Sequence, residues 1–143
     1  MAQVPIMLGA FAAPILWGQS PFDGASAVQI VGAAVAVLGI LLAVAGLVAL
    51  GNALTPFPRP RDHARLRQVG IYRWVRHPIY GGLVVASLGW TASWLSLPGL
   101  FFVLVVFIFF DRKSAFEERL LRAHYPEYGA YAVRVRKLLP GIY

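Results

Sequence analysis

The sequence contains no cysteine, and charged residues make up only 13% of its 143 positions, against the roughly 25% usual in soluble domains. The first absence excludes disulfides, thiolate metal sites and cysteine nucleophiles, and leaves the redox compartment open. The second, with 59% hydrophobic residues and a mean hydropathy of +0.67, excludes an ordinary soluble globular domain. No GxGxxG turn follows a strand-like run, which removes a dinucleotide-binding sheet, and no histidine pair has the HExxH spacing, so no metal site is expected. The length allows a single domain, residues 1–143, so any chemistry has to be built on membrane helices.

What is present is strongly ordered along the chain. All 13 basic residues fall in two blocks, Arg59 to Arg76 and Arg112 to Lys137, each bordering an apolar run. This is the positive-inside pattern of cytoplasmic loops in contact with anionic lipid, and it argues against a nucleic-acid partner. Ala27 to Leu50 is broken only by Gln29, and as a helix it reaches about 36 Å, enough to cross a ~30 Å hydrocarbon core. Gly32, Gly39 and Gly46, with Ala36 and Ala43 between them, form a small-residue stripe for close helix approach, including that of a second copy in a homo-oligomer. Ile79 to Phe110 carries no charge and is too long for one span, so it is expected to fold back at Ser96, Leu97, Pro98 and Gly99. The first apolar segment, Val4 to Trp17, lacks the basic n-region of a signal peptide and is expected to be a retained helix. The pattern predicts an all-α, multi-pass protein of the inner membrane. Its spans fall near 4–17, 27–50, 79–95 and 98–116, and both termini, a basic loop (51–78) and the C-terminal region (117–143) are cytoplasmic.

The polar segments carry the candidate chemistry. Pro56, Pro58 and Pro60 make an extended strap, Gly70 permits a turn, and Trp74 offers an interfacial anchor. Pro78 marks a helix start, whose amides, beside Arg76 and His77, are suited to an anion; the plainer alternative is that His77 caps the helix and Arg76 binds lipid phosphate. Ser114 to Glu117 reads S-x-x-E, the pattern of a capping box at a new helix start, and Glu118 stands four residues before Arg122 on one helix face. His124, Tyr125, Tyr128 and Tyr131 cluster beyond, and the alternation from Tyr131 to Arg136 predicts an extended tail across the cytoplasmic mouth.

GIYRWVRHPIYGG, then an apolar hairpin, then FEERLLRAHYPEYGAY, resembles the isoprenylcysteine carboxyl methyltransferases and the related phospholipid methyltransferases, in their bacterial or archaeal type. The R-H-P-x-Y-x-G motif stands as Arg76, His77, Pro78, Tyr80 and Gly82, and the paired glutamates as Glu117 and Glu118, within a likeness covering roughly residues 50 to 140. The resemblance implies an S-adenosyl-L-methionine-dependent membrane enzyme acting on a lipophilic acceptor: a prenylcysteine-like carboxylate, a lipid amine or a hydrophobic thiol. Carried over by motif, Leu66, Tyr72, His77, Pro78, Ile79, Tyr80 and Glu117 contact the cofactor. Arg112 and Lys113 face the substrate, and Glu118 or His124 is the candidate base where the acceptor needs one. The family's Phe-Gly before the last tyrosines is replaced here by His124, Tyr125 and Pro126. Two other readings remain open at this point: a sterol-reductase-like enzyme, and a non-catalytic membrane protein whose glycine stripe binds a partner and whose basic loops bind lipid.

Overall fold

A computed structural model describes residues 3–21, 24–51, 66 and 68–143; the proline strap and Arg59, Arg61, Arg65 and Arg67 lie outside these residues. The described residues form five α-helices: α1 (Gln3–Trp17), α2 (Ala27–Leu50), α3 (Pro78–Ser93), α4 (Leu97–His124) and α5 (Tyr128–Arg134), with a 3-10 turn at Gly70–Arg73 before α3. Among the described residues the extended pairing is a parallel bridge between Val75 and Arg136.

Helix α2 starts where Ser26 and Gln29 cap each other reciprocally, and it ends at Gly51, whose φ of 51° is a conformation side chains resist. Its length and apolarity suffice to cross a membrane; α1, though apolar, has 15 residues. The glycine stripe of α2 is filled by α3 of the same chain. A Cβ built on Gly39 would lie 2.3 Å from the backbone nitrogen of Ala86, and one on Gly32 would lie 2.6 Å from that of Ser93. The reverse holds for α3, where Cβ atoms on Gly82 and Gly89 would come within 2.5 Å and 2.2 Å of the nitrogens of Ala43 and Ala36. Each helix contributes glycines where the other's backbone passes, so the seam is held by close packing. The face expected to serve a second copy is therefore engaged within the chain.

On its other side α3 meets α4 and α1 around Ala10, Val84, Val106 and Phe110. The α3–α4 hairpin forms as expected, but its break comes earlier, at Trp94 to Ser96, with Leu95 at φ 48°. Pro98 and Gly99 belong instead to the first turn of α4, where Ser96 accepts from the amide of Gly99 at 3.2 Å and proline's missing donor is harmless. Gly99 serves close approach, since a Cβ there would lie 2.8 Å from the Thr91 methyl.

Two further expectations are corrected. No helix begins at Ser114: α4 runs unbroken to His124, and the Ser114 hydroxyl donates back to the carbonyl of Asp111. An S-x-x-E pattern inside a continuous helix is satisfied locally in this way without marking a terminus. The segment from Tyr131 to Arg136 is helical as far as Arg134 and extended only from Val135. Tyr128, Tyr131 and Val135 share one helical face and are buried together against Leu66, Leu121 and Tyr125, and that burial outweighs the period-two alternation.

Candidate functional site

The polar residues singled out in the sequence converge where α3 begins, where α4 leaves its apolar stretch, and where the C-terminal segment returns. Gly70, at φ 58°, allows the turn that buries Tyr72 and leaves Trp74 69% exposed. His77 occupies the N-cap position of α3 but makes no side-chain cap hydrogen bond. Its ring is turned to α4 instead, with Nε2 3.2 Å from Glu118 Oε1 and Nδ1 3.7 Å from Glu117 Oε2. Tyr80, one turn on, stacks between His77 and Phe110 at centroid distances of 5.6 and 4.8 Å and donates its hydroxyl to Glu117 Oε1 at 2.6 Å. Lys113 lies 4.9 Å above the same ring and donates to Gln3 at 2.8 Å.

The two glutamates differ in how their charge is met. Glu118 is buried and receives Arg76 Nε at 2.9 Å, with Arg122 at 3.7 Å on its other oxygen. Burial pushes its carboxyl up, but the hydrogen bond from His77 and the charge of Arg76 outweigh it and hold the group below its ordinary range. Glu117, with its side chain 18% exposed, has a phenol and an imidazole for partners, and among the described residues it pairs with no lysine or arginine. Burial, and then the charge of Glu117, push the Tyr72 phenol up to about 12. Tyr131 is likewise raised to about 12, chiefly by burial, and its neutral hydroxyl donates to the carbonyl of Tyr72 at 2.7 Å.

At the start of α3, expected to hold an anion, the C-terminal segment takes up two of the nearby amides. The amides of Arg76 and His77 donate to the carbonyls of Arg136 and Lys137 at 2.8 and 2.9 Å, so the C-terminal segment lies across the helix mouth. Leu138 is buried there, and a Cβ on Gly81 would fall 1.8 Å from its carbonyl oxygen. The segment is also pinned by Lys137, which donates to the Asp111 carboxylate, and by Tyr143, whose hydroxyl reaches the same oxygen at 2.9 Å.

Of the residues named from the sequence, Tyr72, His77, Tyr80, Glu117 and Glu118 are brought together, with Lys113 at their edge. Leu66 packs on the tyrosine cluster of α5. Pro78 and Ile79 are turned to α2 against Gly46, and Arg112 and His124 are exposed on α4, so these four stand apart from the acidic pair. Sequence reasoning missed the linking role of Arg76, the Lys137–Asp111 pair, and the burial of Tyr128, whose hydroxyl has no hydrogen-bond partner among the described residues. The spacing of Tyr128, Tyr131 and Val135 was the available signal for α5.

The sequence model of the phospholipid methyltransferase family matches residues 27–128. The chain is 31% identical over 119 residues to probable protein-S-isoprenylcysteine O-methyltransferases of Oryza sativa subsp. indica and subsp. japonica, covering 80% of this chain and 62% of theirs. It is also 31% identical over 109 residues to protein-S-isoprenylcysteine O-methyltransferase B of Arabidopsis thaliana, covering 73% of this chain and 55% of that protein. The chain thus spans about three-fifths of the length of the curated relatives it matches.

Proposed function

The chain belongs to the phospholipid methyltransferase family, and from that premise we propose that it transfers a methyl group from S-adenosyl-L-methionine to a lipophilic acceptor at the cytoplasmic face of the inner membrane. The observation that carries this reading is Glu117, a partly buried carboxylate met by an imidazole and a phenol but by no lysine or arginine among the described residues, set beside the stacked ring of Tyr80. A carboxylate met only by an imidazole and a phenol, next to an electron-rich aromatic ring, fits a cationic sulfonium and ammonium group. The Tyr128 hydroxyl, buried with no hydrogen-bond partner among the described residues, is a further polar atom for a ligand of this kind to satisfy.

S-adenosyl-L-methionine supplies a methyl group on a positively charged sulfur. The protein's part is to position, to shield and to hold charge. Glu117, Tyr80 and Tyr72 receive the cationic donor. His77, held between two carboxylates, fixes their spacing. The C-terminal segment across α3 keeps bulk water out. Glu118, kept ionised by the hydrogen bond from His77 and the charge of Arg76, is a weak proton acceptor, so the arrangement favours an acceptor that arrives already ionised, a carboxylate, over an amine or thiol that needs a base.

The side chains outside the site support a multi-pass arrangement of four spans. Val28, Val31, Leu38, Leu41 and Val48 on α2, and Leu8, Ile15, Phe101, Leu104 and Ile108 on α1 and α4, are apolar and exposed, as lipid-facing residues are. The apolar part of α4 before Asp111 rises about 21 Å, which sets the acidic pair near headgroup depth, within reach of an acceptor whose tail stays in the bilayer. Equilibrium binding of S-adenosyl-L-methionine to purified protein in nanodiscs tests the reading, followed by transfer of a labelled methyl group into lipid extract. Saturable binding lost in His77→Ala of unchanged elution profile is expected. Absence of binding by folded wild-type protein overturns the reading.

A further inference from the structure

Arg76 makes more polar contacts to the C-terminal segment than any reactant-binding role requires. Its Nη1 donates to the carbonyl of Val135 at 2.6 Å and to that of Ala132, while its Nε donates to Glu118 on α4 at 2.9 Å. Its own amide donates to Arg136, so side chain and main chain engage the same stretch. Ala132 and Val135 lie at the C-terminal end of α5, where a helix leaves its last carbonyls without intrahelical partners. α5 has seven residues, and helices that short do not persist in water on their own, so its formation depends on tertiary contacts. A guanidinium at that end satisfies the open carbonyls and offsets the negative end of the helix dipole. Its side chain is 12% exposed, and its donors are already divided between a carboxylate and two carbonyls.

We propose that Arg76 is a positioning residue, a clasp that joins α4 to the C-terminal helix and closes the segment 132–138 over the start of α3, acting on the donor site through that segment. The inference builds on the methyl-transfer reading for its effect on binding, and stands on the geometry alone for its effect on the segment. A lysine cannot replace it fully, because a single ammonium on a flexible stem does not reproduce a planar fork reaching in two directions.

The test uses the full chain in nanodiscs, as wild type, Arg76→Ala, Arg76→Lys and Glu118→Gln. Two quantities are read: hydrogen exchange of peptides covering 128–138, and the dissociation constant of S-adenosyl-L-methionine. In Arg76→Ala, exchange across 132–138 rises at least tenfold, and donor affinity falls at least tenfold with the helices α1 to α4 still protected. Arg76→Lys recovers part of both losses. Glu118→Gln removes the ion pair but leaves the carbonyl contacts, and keeps exchange in the segment within about threefold of wild type. Wild-type exchange in folded Arg76→Ala overturns the clasp. If the alanine variant does not fold, Arg76→Lys decides in its place, with raised exchange in the segment supporting the clasp and wild-type exchange overturning it. Wild-type protein that binds no donor sinks the methyl-transfer reading, while the exchange results still decide the clasp.

Discussion

Along α3, the face toward α2 and the face toward α4 and the C-terminal segment hold the helix by opposite means. The α2 seam has glycines where the opposing backbone passes and no ion pair among the described residues; its contacts are short and insensitive to pH. The other side gathers Arg76, His77, Tyr80, Glu117, Glu118 and Lys137, joined by charge-assisted hydrogen bonds. In lipid, apolar burial gives helices no net drive to associate, so tight packing and polar contacts are the two means available. The molecule uses the first to set its framework and the second to build its site. The difference teaches that damage to one face should appear as lost folding and damage to the other as lost binding.

The sharpest break in this division is a side chain on the seam. Gly39→Val places atoms in the backbone of Ala86 and is expected to cost about 3 kcal/mol or more, read as loss of monodisperse protein and a fall in thermal midpoint. Gly81→Ala is its counterpart on the other face. The new methyl collides with the Leu138 carbonyl, lifts the C-terminal segment and lowers donor affinity at least tenfold, while the thermal midpoint stays near wild type. Should Gly81→Ala instead unfold the protein, the two faces are not separable.

Glu117→Gln sharpens the comparison within the site. It keeps the shape and the hydrogen bond from Tyr80 but removes the negative charge, so S-adenosyl-L-methionine affinity falls about tenfold, or about 1.4 kcal/mol, whereas S-adenosylhomocysteine, a net-neutral zwitterion without the sulfonium charge, loses less. Acid separates the faces by chemistry. The carboxyl of Glu118 lies below its ordinary value of 4.5 in the folded protein, so its stabilisation is full above that pH and fades as pH falls through the lowered value. The thermal midpoint should drop over that acid range in wild type and flatten in Glu118→Gln. The smallest effect is Gly129→Ala in α5, where a methyl meets open space and raises helix propensity, slowing exchange in the segment by about 0.5–1 kcal/mol.

Much of this was legible in the sequence, for reasons that differ by region. The apolar run of α2 and its stripe were plain, but the partner was left open although Gly82 and Gly89 repeat the same seven-residue spacing on α3. The R-H-P-x-Y motif and the paired glutamates gave the residues that meet, because side-chain chemistry is written in residue type. Arg76 as a clasp was not legible, since its acceptors are backbone carbonyls that any residue supplies. The uninterrupted α4 was hidden by Ser114, whose hydroxyl is satisfied one turn back rather than at a helix end.

The contact between Arg76 and Val135 joins positions 59 apart in the chain. The seam between α2 and α3 can form once the chain has been synthesised to residue 93, whereas the site waits for residues that follow every long helix. Assembly can thereby be ordered: the α2–α3 framework packs first, and the site closes last. A nascent chain halted before α5 would have its paired helices and yet lack the segment that lies across the start of α3.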